Sequence, residues 1–125
     1  MRRAINAVII KDKKILLVKK RDIWILPGGK PIWNESDYGC LVREIREELS
    51  GTEIILKEYY NSFIGKTPYK KDELEVRVYF AEIKGELNNP SEEISEARFV
   101  NPYDYPISDI TKKIVDSLMR NNFLK

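Results

Sequence analysis

Residues 36–51 constrain this chain more than any other stretch. Tyr38, Leu41, Val42, Ile45 and Leu49 recur at helical spacing, Ser36 is a suitable N-cap, and Gly51 is a helix stop. The spacing predicts an amphipathic helix running from Ser36 to about Ser50. Its apolar face has to be buried against another layer.

The flanking segments supply that layer. Ala4 to Ile10 is apolar and β-branched, Lys11-Asp12-Lys13-Lys14 is a polar turn, and Ile15 to Val18 resumes the apolar run, which reads as a hairpin. Ile23 to Leu26 is a third strand stopped by Pro27-Gly28-Gly29, followed by a loop from Lys30 to Glu35. Thr52 to Ile64 holds one or two strands. Leu74, Val76, Val78 and Phe80 alternate with Glu75, Arg77 and Tyr79, as in a strand with one buried face. After a turn at Gly85 to Ser91 come a short strand, Ala97 to Val100, and a helix capped by Ser108 with Ile110, Ile114, Val115, Leu118 and Met119 as its stripe. Strands, helix, strands, helix predicts an α/β fold with a mixed sheet between helices, in a single domain spanning 1–125.

Composition removes many kinds of chemistry. The chain has no histidine and one cysteine, which excludes imidazole-based triads, zinc sites of the Cys/His type and an internal disulfide. The N-terminus carries no apolar signal-type stretch, and the apolar runs are too short to cross a bilayer. The expectation is a soluble cytoplasmic protein with no membrane partner. A formal charge of +2 is too small for a nonspecific nucleic-acid binder, so no stable nucleic-acid partner is expected. Local bias exists all the same: Lys11, Lys13, Lys14, Lys19, Lys20 and Arg21 precede Glu35, Glu44, Glu47 and Glu48. A basic strand beside an acidic helix suits a phosphate chain carried with a divalent metal; solvated charges on exposed faces are the plainer alternative.

The helix concentrates the acidity. At 100° per residue, Glu44, Glu47 and Glu48 fall in one sector beside the apolar face. Like charges at these spacings repel, and acidic groups near a helix C-terminus oppose its dipole. Arg43 can pair with Glu47 but does not neutralise three carboxylates. A hard divalent cation would, since magnesium takes oxygen ligands and is often shared between carboxylates and substrate phosphates.

The pattern continues beyond the helix. Gly29, five residues, Glu35, seven residues, then Arg43-Glu44-Ile45-Arg46-Glu47-Glu48 resembles the Nudix box, G-x5-E-x7-R-E-U-x-E-E-x-G-U with U aliphatic. With this composition the part through Glu48 arises in about one of 10⁵ shuffles. The approach Trp24-Ile25-Leu26-Pro27-Gly28-Gly29-Lys30 is also similar to the family's strand and Pro-Gly-Gly turn, and the order of elements matches its α/β/α sandwich. Two positions depart from the pattern: the terminal Gly-aliphatic pair falls on Ser50-Gly51, and Asn34 stands where many members have glycine.

The resemblance implies a magnesium-dependent hydrolase, with manganese as a substitute, acting on a nucleoside diphosphate linked to another group. Glu47 and Glu48 would be metal ligands with the Gly29 carbonyl; Glu44 would be a further ligand or the base that activates water; Arg43 and Glu35 would orient helix and loop. Family members often add a late loop carboxylate, for which Glu93 is favoured by its spacing to Phe99. Lys20, Arg21 and Lys30 are candidates for phosphate oxygens, and Trp33 and Tyr69 for stacking on a base; Trp24, alternating with Leu26, reads as core. Pro68 and Tyr69 lie where some members carry a substrate-selecting proline or tyrosine, and having both selects nothing. The leading expectation is a free-nucleotide hydrolase, with an RNA 5′-end pyrophosphohydrolase as a variant of it; a nucleotide-sensing module without turnover is the alternative, and the retained glutamates argue against it. Oligomeric state is not specified.

Overall fold

The run Ile15-Leu16-Leu17-Val18 is apolar at consecutive positions because its strand is covered on both faces. The computed structural model describes residues 2–66, 72–87 and 94–124. In chain order the elements are β1 (Arg2–Val8), β2 (Ile10–Lys11), β3 (Lys14–Lys20), β4 (Ile23–Ile25), β5 (Gly28–Gly29), α1 (Asp37–Glu48), β6 (Thr52–Lys66), β7 (Glu73–Gly85), β8 (Glu96–Val100), a 3-10 turn (Pro102–Asp104) and α2 (Asp109–Arg120).

Two four-stranded sheets form the β layer. In the first, ordered β5-β1-β7-β6, β1 runs parallel to β7 while β5 and β6 pair antiparallel, so the sheet is mixed. In the second, β8 lies along one edge of β3, and β2 and β4 share the other. Ile15 and Leu17 join Ile110, Ile114 and Leu118 of α2 in one core cluster. Leu16 and Val18 join Leu41, Ile45 and Leu49 of the α1 segment in another. The result is the α/β/α sandwich expected from the order of elements.

Several local expectations are corrected. Only Ile10-Lys11 pairs with Lys14-Ile15, across Asp12 and Lys13 at φ +52° and +66°, the left-handed conformation that suits tight hairpins. The rest of the first strand leaves the hairpin and pairs in parallel with β7, a contact between distant segments that no local turn signal announces. Gly28-Gly29 does more than stop β4: it forms β5, facing Asn6 and Ile5. Thr52 to Lys66 is one long strand whose register shifts near Tyr59. Helix α1 ends at Glu48, before Ser50, and Tyr38 and Met119 lie outside the apolar faces assigned to them, 52 % and 37 % exposed. No helix among the described residues is long and apolar enough to cross a membrane.

Candidate active site

Ser36 begins α1 as expected, its hydroxyl oxygen accepting the Gly39 N–H at 3.0 Å. The N-terminal turn is tied to the sheet as well: Tyr79 donates to Asp37 and Arg77 Nε lies 2.9 Å from the same carboxylate. Cys40, Leu41 and Ile45 are then buried, which turns Glu44 and Glu48 toward β5.

Glu48 is a buried carboxylate whose Oε1 accepts the Gly28 N–H at 2.9 Å. Gly28 has φ +136°, and a Cβ there would lie 2.1 Å from the Ile5 carbonyl oxygen, so glycine is required. At Gly29 a Cβ would lie 2.4 Å from Glu44 Cδ, because the Glu44 carboxyl packs directly over this backbone. The Pro-Gly-Gly turn thus serves to bring two carboxylates against bare backbone.

Arg43 organises the other side. Its Nε and Nη2 donate to both oxygens of Glu35, at 2.8 and 2.9 Å, while Nη1 donates to Glu44 at 2.8 Å and Nη2 to the Lys30 carbonyl at 3.0 Å. Glu35 also accepts the Ile32 N–H at 3.0 Å. These contacts, the Arg43 bonds first, hold the Glu35 pKa down to about 2. Arg43 is in turn pushed above its ordinary range, chiefly by Glu35. The Cys40 Sγ lies 3.5 Å from the Gly29 carbonyl, and burial raises its thiol pKa to about 12. Asn34 adopts φ +63°, a left-handed conformation asparagine enters more readily than most residues, which accounts for its standing in place of glycine. Gly51, at φ +89°, supplies the turn out of α1 with Ser50 ahead of it.

Above β5 lies a cleft of about 340 Å³. Glu44, Glu48, Gly29, Lys20 and Lys30 line it, so these predicted residues come together. Glu47 does not line it: its side chain is 61 % exposed on the flank of α1, with the carboxylate 3.8 Å from Arg43 Nη1. Arg21 occupies the β3–β4 turn at φ +59°, and Trp33 is 93 % exposed; neither lines the cleft. Trp24 is core, stacked edge-on against Tyr105. Pro68, Tyr69 and Glu93 lie outside the described residues.

Among the described residues, no three His, Cys, Asp or Glu side chains gather closely enough to hold one metal ion. What the cleft offers is two carboxylates beside a glycine backbone with no room for a side chain. Hard oxygen donors of this kind fit a divalent cation that completes its shell with water and phosphate. Asn6 also lines the cleft, and the sequence reading missed it; the signal was its position as the polar break in the apolar run Ala4 to Ile10.

Comparison with known proteins bears on this geometry. Residues 1–118 match the NUDIX domain. The mRNA-decapping protein g5R of African swine fever virus (isolate Warthog/Namibia/Wart80/1980) is 33 % identical over 101 residues, covering 72 % of this chain and 35 % of the viral protein. This chain accordingly spans about a third of the length of the curated relatives it matches. Among solved structures, the E. coli ORF135 protein superposes with a TM-score of 0.80 at 25 % identity, over 96 % of this chain and 89 % of that one. The MutT NUDIX hydrolase from Burkholderia pseudomallei gives 0.74 at 26 % identity, over 92 % and 95 %. A match of this extent establishes descent: the chain belongs to the Nudix hydrolase family.

Proposed function

We propose that the protein hydrolyses a phosphoanhydride bond in a nucleoside diphosphate linked to another group, such as a nucleoside triphosphate, a nucleotide sugar or a dinucleoside polyphosphate. The observation that carries this reading is the pairing of Glu44 and Glu48 over the Gly28-Gly29 backbone at the wall of a cleft also lined by Lys20 and Lys30. Glu44, Glu48 and the Gly29 carbonyl are the proposed donors to Mg²⁺, for which Mn²⁺ substitutes, with Glu47 as a further ligand and Glu93 as one from the late loop. When bound, such a cation neutralises phosphate charge and lowers the pKa of water.

The chain's own residues then divide the work. Gly28 fixes the Glu48 carboxylate through its N–H, and Arg43 fixes Glu44 while being fixed by Glu35. Glu44 would serve as a metal ligand or as the base that activates the attacking water. Lys20 and Lys30 attract the substrate's phosphate oxygens, Arg21 and Trp33 would act only at the periphery, and Tyr69 is kept as a candidate for stacking on the base. The proposal includes a cytoplasmic location, supported by the one buried free cysteine.

Action on an RNA 5′ end is a second reading, favoured by the likeness to a relative named as an mRNA-decapping protein. A panel of free nucleotides and 5′-triphosphorylated and capped RNA, assayed for phosphate and nucleotide release with and without Mg²⁺, separates the two. Magnesium-dependent release abolished by Glu48→Gln supports hydrolysis. Tight nucleotide binding with no release from any substrate would instead identify a sensing module.

A further inference from the structure

We propose that Asn6 selects the base: its side-chain oxygen, fixed as an acceptor inside the cleft, takes an exocyclic amino group of the nucleotide and disfavours an oxo group there. This inference rests on the reading of the cleft as the nucleotide site and deepens it.

The orientation of the Asn6 amide is determined by its neighbours. Nδ2 donates to the Leu26 carbonyl at 2.9 Å and to the Pro27 carbonyl at 3.2 Å. Both partners are acceptors, so turning the amide over would set oxygen against two oxygens. The two N–H bonds are thus occupied and Oδ1 is left as an acceptor. Among the described residues Oδ1 takes no hydrogen bond, and it is not sealed away from solvent. Asn6 itself lines the cleft.

Much of the remaining lining of the cleft is apolar. Leu74, Val76, Ile110 and Ile114 form the wall toward α2, where the hydroxyls of Ser108 and Thr111 bond each other at 2.7 Å. Asn6 lies beside Gly28, whose N–H binds the Glu48 carboxylate, and lines a cleft that has both these charged groups and this apolar wall. A nucleotide with its phosphates toward Glu44, Glu48, Lys20 and Lys30 sends its planar, apolar base toward this wall. The cleft's 340 Å³ is at the small end of the roughly 300–1,000 Å³ of small-ligand sites, which favours contact between the base edge and the acceptor. An amino group satisfies Oδ1; an oxo group meets it acceptor to acceptor and leaves both unpaired.

The test measures equilibrium binding by calorimetry, with Mg²⁺, of three triphosphate analogues with methylene bridges at both the α,β and β,γ positions, which leave no anhydride to cleave and differ at purine position 6: amino (adenosine), hydrogen (purine riboside) and oxo (inosine). The full chain should bind the amino compound at least about tenfold more tightly than either of the others, and Asn6→Leu should bind all three alike. Wild-type affinities within about threefold of one another, no binding of any of the three, or a preference that survives Asn6→Leu would overturn the assignment. So would a preference that follows the ribose 2′-hydroxyl, read with the 2′-deoxyadenosine analogue, and disappears in Asn6→Leu. The wild-type comparison stands even if the variant fails to fold. Because binding is read without turnover, amino selectivity in a protein that hydrolyses nothing would sink the hydrolase reading alone, and hydrolysis without selectivity would sink this one alone.

Discussion

Glu48 accepts the backbone N–H of Gly28, tying the last turn of α1 to the glycine turn before the helix. An acidic group at that end of a helix opposes the dipole, and the hydrogen bond to a buried amide offsets the cost. Glu48→Gln keeps an acceptor while removing the charge. It should therefore fold with a melting temperature close to that of the parent and lose on the order of 10²-fold or more in nucleotide turnover. Glu48→Ala strands the buried Gly28 N–H and should cost about 1–3 kcal/mol of stability as well. Thermal melts and phosphate release separate the two effects; full turnover in Glu48→Gln would remove the carboxylate from the chemistry.

The two adjacent glycines should respond differently to an added methyl group. At Gly28 the intruding Cβ meets fixed backbone, and φ +136° is unsuited to alanine, so Gly28→Ala should be destabilised by about 2 kcal/mol or more. At Gly29 the Cβ meets the end of the Glu44 side chain, which can swing away. Gly29→Ala should consequently melt within a few degrees of the parent but lose at least about tenfold in turnover, because Glu44 is displaced. Equal losses of stability in both variants would contradict this division.

What was legible in the sequence was whatever has a local cause. Ser36 and Ser108 cap their helices by bonding residues three positions on, and Leu41 and Ile45 are buried at the helical period that announced them. The box residues Glu35, Arg43 and Glu44 meet because one loop and one helix face determine their approach. The parallel pairing of β1 with β7 was not legible, since Arg2 lies opposite Leu74 across most of the chain and neither segment encodes its partner. Asn6 was missed for a related reason: the carbonyls that orient its amide belong to Leu26 and Pro27, in the link between β4 and β5, and the polar break it makes in its own strand does not reveal them. Glu47 shows a finer limit, because helical spacing places it within the acidic sector while its side chain lies along the flank with Arg43.

The Glu35–Arg43 contact makes a pH prediction with a definite sign. Glu35 titrates at about 2 in the folded chain against an ordinary 4.5, so its contribution to stability is complete above pH 4.5 and is lost as pH falls toward 2. Melting temperatures measured from pH 7 to 2 should carry this loss below pH 4.5, and Glu35→Gln should lack that component while melting lower than the parent at neutral pH. A parallel decline of both proteins below pH 4.5 would show that the pair contributes nothing.

Magnesium should stabilise the chain in the absence of substrate, since a ligand that binds only the folded state shifts the folding equilibrium. At ten times its dissociation constant the gain is about 1.4 kcal/mol, or roughly 5 °C for a domain of this size. Glu44→Gln and Glu48→Gln should each remove most of that shift, because both carboxylates line the cleft. Glu47 offers the sharper case: it starts exposed, held by one 3.8 Å contact with Arg43, and must turn to reach a cation in the cleft. As a ligand it should reduce the shift on change to glutamine while leaving the metal-free melting temperature unaltered, since a contact that long and exposed adds little to folding. An undiminished shift in Glu47→Gln would strike it from the ligand set and leave Glu44, Glu48 and the Gly29 carbonyl as the site.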